Sequence, residues 1–253
     1  MSHYMLEVCA ANLRSAINAA QAGATRIELC SALPEGGLTP SPGVLTVCRA
    51  LLPQLKINVM IRPRGGDFVY DKDDIACMLT DIKFAKAQGA DGLVFGCLTT
   101  TGEIDLPTLE LLMQASAPLP ITFHRAFDLC RDPFLALEQL IEAKVTRVLT
   151  SGQAPQALLG AHLIARLQEK ARGRIILMPG AGINAHNIVK LATLTHCQEF
   201  HLSAKKRQPS PMRYRKDKAL LSGTYYIDEH EQDISDSMEI VAALQALNAG
   251  AIA

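Results

Sequence analysis

Residues 4–30 read YMLEVCAANLRSAINAAQAGATRIELC, and this stretch predicts the fold. Two short runs rich in aliphatic residues, 4–9 and 25–30, flank a segment from Leu13 to Ala22 whose apolar residues recur at the spacing of an amphipathic helix. Gly23, which follows, is typical of a helix end. A strand, a helix and a second strand in this order require parallel pairing, because the helix carries the chain back over the sheet.

The same alternation continues to the end of the chain. Further strands are predicted at 56–62, 91–97, 119–125, 146–151, 174–179 and 198–203, with amphipathic segments between them. Eight such units in 253 residues fit a (β/α)8 TIM-type barrel, so we predict one α/β domain spanning 1–253.

An open, doubly wound sheet is the competing architecture. Residues 180–185, GAGINA, support it because they match a dinucleotide-binding fingerprint. The match falls in the seventh unit rather than the first, and a barrel often binds phosphate on the loops after its seventh and eighth strands. The barrel therefore remains the prediction.

Composition excludes several classes of protein. With 49% hydrophobic and 20% charged residues the chain is globular, and 25 basic against 25 acidic residues argue against electrostatic binding of nucleic acid. No apolar run reaches the roughly 18 residues of a membrane span. Seven scattered cysteines without a CxxC indicate neither a disulfide scaffold nor a zinc knuckle. The N-terminus lacks a basic start and an apolar core, so we expect a cytoplasmic protein.

A long basic loop is predicted at about 205–233, before the last helix. Its first half contains seven basic residues, namely Lys205, Lys206, Arg207, Arg213, Arg215, Lys216 and Lys218. Loops of this length are usually functional or disordered. A solvated excursion, a lid over an anionic ligand and a contact between subunits are all consistent with this composition.

Two Glu-x-Cys pairs occur at the ends of the first two strands. Glu7 and Cys9 share one face of a strand, Glu28 and Cys30 share the same face of the next, and we expect both pairs to point into the barrel. Neighbouring strands are ~4.8 Å apart, so the two thiols can approach closely enough to bridge one soft ion, for which Cu(I) is suited. The alternative is that both are plain buried thiols, since cysteine is among the most commonly buried residues.

Charged and polar side chains follow the other predicted strands. They are Arg62 and Arg64, His124, Arg125 and Asp128, and His201 and Ser203. Buried glutamates need partners, so this ring is expected to face Glu7 and Glu28 at the barrel mouth. Arg62 or Arg125 can clamp a carboxylate or phosphate, and His124 can exchange protons with Glu28. A self-neutralised network without a substrate is the structural alternative.

Two further strand ends predict an anion cradle. Ser151 ends the sixth strand, while Gly180 and Gly182 follow the seventh, where hydroxyls, backbone N–H groups and a helix N-terminus come together. A tight turn that needs glycine is the alternative explanation.

Several blocks of this sequence together carry a resemblance to one family. The blocks are Glu7-Val8-Cys9, Arg26-Ile27-Glu28-Leu29-Cys30, residues 35–41 (EGGLTPS), 59–68 (VMIRPRGGDF), 89–96 (GADGLVFG), 122–128 (TFHRAFD) and 149–152 (LTSG). They resemble the CutC family, which is named for copper homeostasis. The resemblance implies a TIM-type barrel, a cytoplasmic location, a homo-oligomer (dimer or tetramer) and Cu(I) ligands at Cys9 and Cys30. One block departs, because Ala181 stands where the family often has the middle of three glycines.

Two hypotheses about function follow. The first is a copper homeostasis protein that holds Cu(I) between Cys9 and Cys30, with no organic cofactor. The second is an enzyme of lyase or isomerase type, without a role in copper, acting on a small anionic metabolite that is either phosphorylated or not. Its catalytic residues would be Glu7, Glu28, His124, Arg125 and Asp128, and its substrate-binding residues would be Arg62, Arg64, Ser151, Gly180, Gly182, His201 and Ser203. The resemblance favours the first hypothesis, and the charged ring favours the second.

Overall fold

Eight parallel strands form the wall of a nearly closed barrel in the computed structural model, which describes residues 4–214 and 228–250. The strands are β1 (Met5–Ala10), β2 (Arg26–Leu29), β3 (Lys56–Met60), β4 (Gly92–Phe95), β5 (Ile121–Phe123), β6 (Arg147–Thr150), β7 (Ile176–Pro179) and β8 (Glu199–Leu202). Each strand from β1 to β6 pairs with the next one along the chain, and β8 pairs with β1. The barrel prediction is confirmed, because β7 and β8, at the two ends of this strand order, also lie against each other and nearly close the ring.

Helices return the chain from each strand to the next. They are α1 (Leu13–Gln21), α2 (Pro42–Leu51), α3 (Lys72–Ala87), α4 (Leu106–Ser116), α5 (Pro133–Glu142), α6 (Ala161–Ala171), α7 (Ile188–Thr195) and α8 (Ser237–Gly250). Short 3-10 helices at Leu33–Glu35 and Arg125–Leu129 follow β2 and β5. None of the helices in the described ranges has the length and apolar character needed to cross a bilayer.

The two faces of the sheet differ in chemistry. Val8 and Ile27 point outward and are fully buried in the main apolar core beneath the helices. Glu7, Glu28 and Asn58 alternate with such residues and point inward, where they are also buried. Because side chains in a strand alternate between faces, this period of two places an apolar layer outside the barrel and a polar bore inside it.

The segment predicted as a loop at 205–233 is paired at both ends. Strands β9 (Lys205–Pro209) and β10 (Glu231–Ser235) form an antiparallel ladder. Ion pairs connect the two ends of the segment: Lys205–Asp233 at 3.5 Å, Lys206–Asp236 at 2.9 Å and Arg207–Glu231 at 3.2 Å. The loop prediction is corrected here, because opposite charges and backbone pairing hold these ends together. Arg215, Lys216 and Lys218 lie outside the described residues.

The paired strands β9 and β10 pack against the first helix, α1. The Asn12 side chain caps α1 by accepting a hydrogen bond from the Ser15 amide, and its own amide donates to the Asp233 carbonyl at 2.9 Å. Asn18 donates to the Ser235 carbonyl at 2.8 Å. The chain that leaves β8 is therefore held next to the chain that leaves β1, on the side of the barrel where β1 and β8 meet.

Candidate functional site

The lower part of the bore is filled by a network of buried ion pairs. Glu199 accepts two hydrogen bonds from the Arg147 guanidinium, at 2.6 and 3.2 Å, and a third from Arg26. Burial raises the pKa of Glu199, but the hydrogen bonds and positive charges of the two arginines outweigh burial and lower it overall. Arg26 also lies 2.7 Å from Glu7, so it connects this level of the bore to the one above it.

Glu7 is ionised in the middle of the barrel. Its two carboxylate oxygens contact the His201 ring at 2.9 Å and accept a hydrogen bond from the Asn58 amide at 2.8 Å. Burial alone would raise its pKa, but the hydrogen bond with His201 and the charges of Arg26 and His201 lower the pKa of Glu7 to about 2. Glu7 thus orients His201 rather than facing the barrel mouth.

Glu28 lies on the cavity side of His201, and one of its two carboxylate oxygens has no hydrogen-bond partner among the described residues. Its Oε1 is 3.9 Å from His201 Nε2 and 3.5 Å from the sulfur of Cys9, which donates to it. Its Oε2 is buried and has no hydrogen-bond partner among the described residues. Burial raises the pKa of Glu28, although the nearby His201 charge opposes that shift. The pKa of His201 is raised because the carboxylates of Glu28 and Glu7 outweigh the effect of burial.

The thiols of Cys9 and Cys30 meet at the top of the bore. Their sulfur atoms are 3.7 Å apart, and both residues are buried and free. Contact with Cys30, together with burial, raises the pKa of Cys9 well above its ordinary value, so the thiol is protonated at neutral pH. Met60 and Val94 complete a small cluster with them, separate from the main core. The prediction that both Glu-x-Cys pairs point inward agrees with these contacts.

Arg62 reaches the barrel mouth, but backbone carbonyls already occupy much of its guanidinium group. It donates to the carbonyls of Glu35 at 2.6 Å, Gly37 at 3.0 Å and Gly66 at 2.9 Å, and it lies over the ring of Phe68. These bonds hold together the loops that follow β2 and β3. Its Nε is buried without a hydrogen-bond partner among the described residues, so the clamp expected from the sequence stays a prediction.

His124 presents one polar atom without a partner. The ring accepts a hydrogen bond at Nδ1 from the Ala126 amide, at 3.2 Å, which caps the short helix Arg125–Leu129. The tautomer that accepts at Nδ1 carries its proton on Nε2, and Nε2 is buried without a partner among the described residues. Burial and the nearby Arg62 charge lower the pKa of His124 to about 3, so the ring is neutral at neutral pH. This describes a hydrogen-bond donor rather than the proton-exchanging base expected from the sequence.

The carboxylate of Asp128 has hydrogen-bond partners on both oxygens. Its carboxylate accepts hydrogen bonds from the Thr150 hydroxyl at 2.5 Å, from the amide and hydroxyl of Ser151 at 3.0 and 2.9 Å, and from the Gln153 amide at 3.2 Å. It also pairs with Arg125 at 2.8 Å. Asp128 therefore fastens the loop after β6 to the loop after β5, and it positions Arg125 at the rim.

A cavity of about 510 Å³ opens at this end of the barrel. The predicted site residues that line it are Cys9, Glu28, Arg62, His124, Arg125, Asp128, Gly182, His201 and Ser203. Glu7, Cys30, Ser151 and Gly180 are not among the residues that line it. Arg64 lies elsewhere, because its guanidinium pairs with Asp74 at 2.9 Å and with Asp67 at 3.1 Å.

Sequence analysis missed the arginines of the bore. Arg26 is two residues before Glu28, Glu199 is two residues before His201, and Arg147 is four residues before Ser151. Inward-facing residues alternate along a strand, so counting back in steps of two from each predicted residue would have found Arg26, Arg147 and Glu199. Asn58 could have been found in the same way, because it is two residues before Met60.

The described part of the chain contains two groups of potential metal ligands. Within each group the ligand atoms all lie within 4.8 Å of one another. One consists of Cys9, Glu28 and Cys30, and the other of Glu7, Glu28 and His201. The second group is an unfavourable place for a cation, because Arg26 is already 2.7 Å from Glu7 and His201 shares its charge. The first group has two sulfur donors and suits a soft metal.

The comparisons with known proteins agree with one another. A family model described as the CutC family matches residues 4–206. The chain is 48% identical to family protein CutC of Bacteroides thetaiotaomicron, over 98% of this chain and 99% of that protein. It is 46% identical to the copper homeostasis protein cutC homolog of Homo sapiens, over 97% of this chain and 88% of that one. The crystal structure of CutC from Streptococcus agalactiae superposes with a TM-score of 0.76 at 35% identity, covering 79% of this chain and 98% of that one.

Proposed function

This chain belongs to the CutC family, and from that membership together with the barrel-mouth geometry we propose that it binds Cu(I) through Cys9 and Cys30 in copper homeostasis. The observation that carries the proposal is the 3.7 Å separation of the two sulfur atoms. Thiolate–metal bonds are about 2.3 Å long for Zn²⁺, so one ion of similar size can contact both sulfurs without displacing either strand.

The surroundings of the two thiols favour a soft, monovalent ion. Met60, Val94 and Leu33 pack around them and supply no oxygen ligand. Glu28 is the nearest carboxylate, and the thiol of Cys9 contacts it at 3.5 Å. Soft sulfur ligands in an apolar setting select Cu(I) over the hard divalent cations, which require several oxygen ligands. Binding to both thiolates releases the two thiol protons to solvent as Cu⁺ enters.

An anaerobic titration with Cu(I) in competition with a colorimetric chelator tests the proposal. We expect one equivalent of Cu(I) per chain, and the Cys9→Ser and Cys30→Ser variants should each bind it at least tenfold more weakly. Cys77→Ser is the matched control, because Cys77 is an exposed free thiol on α3 and its loss should change nothing. The proposal is lost if wild type and the double variant compete equally poorly, or if Zn²⁺ displaces Cu(I) at equal concentration.

A cytoplasmic location is part of the same proposal. All seven cysteines are free, although Cys9 and Cys30 are in contact, and a reducing compartment keeps such thiols from oxidation. Cell fractionation with an antibody against the chain tests the location, and recovery in an extracytoplasmic fraction would contradict it.

We also propose that the protein is a homo-oligomer, either a dimer or a tetramer. The support for this part is the resemblance to the CutC family, because single exposed apolar side chains such as Leu159 and Met238 also occur on monomers. Light scattering coupled to gel filtration measures the mass directly, and a mass of 27.4 kDa would overturn this part of the proposal.

A further inference from the structure

His124 lines the cavity and carries a hydrogen-bond donor that the copper proposal does not use. His124 is 3% exposed, its Nδ1 accepts the Ala126 amide proton, and its Nε2–H is left without an acceptor among the described residues. A buried polar group without a partner costs free energy, so such groups are rare unless a ligand satisfies them.

The ring is fixed in place. Phe68 packs against it with ring centroids 4.8 Å apart, and Phe123 makes an edge contact at 6.1 Å. Gly96 is needed beneath it, because a Cβ at that position would lie 2.6 Å from His124 Nδ1. A donor held by its neighbours pays little entropy when it binds an acceptor.

A second part of the cavity lining is the turn that follows β7. Ala181, Gly182 and Ile183 all line it, and φ is +82° at Ala181 and +71° at Gly182. Within the described ranges the amides of these three residues donate no hydrogen bond. Successive backbone N–H groups in a tight turn can form an anion-binding concavity, and in barrels of this type the loop after the seventh strand is a frequent phosphate site.

From these two parts of the lining we propose that the cavity binds a small organic phosphate that also bears a carboxylate or carbonyl oxygen. The oxygen accepts a hydrogen bond from His124 Nε2–H, and the phosphate lies against the amides of residues 181–183. Arg125 lines the rim between them, with its charge only partly used by Asp128. The cavity volume of about 510 Å³ lies within the range of small-molecule sites. This inference does not depend on copper binding, because none of these residues is a proposed copper ligand.

The neutral state of His124 supports the proposal. Since its pKa is lowered to about 3 by burial and by Arg62, the Nε2–H donor is present throughout the neutral range. A neutral imidazole donates to an oxygen without first taking a proton from solvent.

The probe for the test is 2-phosphoglycolate, which contains both a phosphate and a carboxylate. Calorimetry should show that it binds the wild-type protein, whereas inorganic phosphate and glycolate, each with one of the two groups, bind more weakly. Failure of 2-phosphoglycolate to bind, or binding no tighter than inorganic phosphate, would overturn the proposal.

Two variants of His124 separate the donor from the fold. His124→Asn keeps an acceptor close to the Ala126 amide but is too short to reach the cavity, and we expect it to weaken 2-phosphoglycolate binding by roughly ten- to a hundredfold, the effect of losing a charge-assisted hydrogen bond. His124→Gln places an amide N–H near the Nε2 position and should restore most of the affinity. His162→Asn, on the exposed surface of α6, is the control.

A second readout reports the hydrogen bond itself. The ¹H–¹⁵N signal of His124 Nε2–H should move downfield when 2-phosphoglycolate binds, and the Cu(I) titration of His124→Asn should equal that of wild type. If His124→Asn binds the probe as tightly as wild type, or the Nε2–H signal does not move, His124 is not the donor. Because copper binding is measured separately, loss of this inference leaves the copper proposal standing, and the reverse also holds.

Discussion

Arg26 and Arg147 pair with two carboxylates inside the barrel, Glu7 and Glu199. The positive and negative charges of this network nearly cancel. Glu7, Glu28 and Glu199 provide three carboxyl groups in the bore, facing two arginines and the His201 ring. With His201 protonated and all three carboxyl groups ionised, the six groups sum to zero. Removal of one member of such a network leaves a buried charge uncompensated, which costs more than the pair itself contributes.

Glu199→Gln tests the network at the scale of one residue. The substitution keeps the size of the side chain but leaves Arg26 and Arg147 with one carboxylate between them, so we expect the free energy of unfolding to fall by about 3 kcal/mol. The measurement is urea denaturation followed by circular dichroism. Glu138→Gln removes one partner of an exposed pair with Arg174 and should leave the midpoint almost unchanged. Equal midpoints for the two variants would mean that the bore network does not stabilise the fold.

At the scale of elements, the loop after β6 and the start of α6 are in backbone contact. A Cβ on Gly160 would lie 2.0 Å from the Ser151 carbonyl oxygen, and a Cβ on Gly152 would lie 2.4 Å from the Gly160 carbonyl oxygen. Only glycine permits this approach. The contact holds Ser151, whose hydroxyl accepts a hydrogen bond from Arg125 at 3.0 Å, so the helix start supports the rim of the cavity.

Gly160→Ala should therefore destabilise the protein by about 1–3 kcal/mol, because neither backbone segment can move without breaking its own hydrogen bonds. It should also weaken 2-phosphoglycolate binding through displacement of Ser151 and Arg125. Gly43→Ala is the matched control at the start of α2, where a Cβ meets nothing within 4 Å, and there alanine should stabilise the helix by about 0.5–1 kcal/mol. Thermal unfolding of both variants checks the pair. A Gly160→Ala protein as stable as Gly43→Ala would contradict the close approach.

For the molecule as a whole, the polar bore makes stability depend on pH. His124 is buried in its neutral form, with a pKa of about 3 against 6.5 in the unfolded chain. Between these values the unfolded chain takes up a proton that the folded protein does not, so this contribution is complete above pH 6.5 and is lost as the pH falls toward 3. His201 acts in the opposite direction, because its raised pKa contributes stability below the unfolded value and loses it as the pH rises through the folded value.

Comparison of wild type with His124→Asn isolates the first of these effects, since both proteins retain His201. From pH 7 to pH 5 the wild type should lose about 2 kcal/mol more stability than the variant, as 1.5 pH units below an unfolded pKa of 6.5 correspond to about that amount. Urea denaturation at a series of pH values gives the two slopes. Parallel slopes would show that His124 titrates in the folded protein much as it does in the unfolded chain.

The barrel and the positions of its polar residues could be predicted from the sequence, because both follow from the spacing of apolar and polar residues within single strands and helices. Strand and helix patterns repeat from residue 4 onward, and alternation along β1 and β2 puts Glu7, Cys9, Glu28 and Cys30 on one face. The pairing of β9 with β10 could not be predicted from the sequence, since its ion pairs across residues 205–236 join positions far apart along the chain.

The role of each polar group depends on contacts that exist only in the folded protein. Arg62 donates to three carbonyls of neighbouring loops, Asp128 is saturated by the loop after β6, and Arg64 turns away toward Asp74. The partner of a buried charge depends on which strands face one another across the bore and at what height, and nothing in a local pattern encodes that distance. The same reason made the neutral His124 donor visible only once Ala126, Arg62 and Phe68 were seen around its ring.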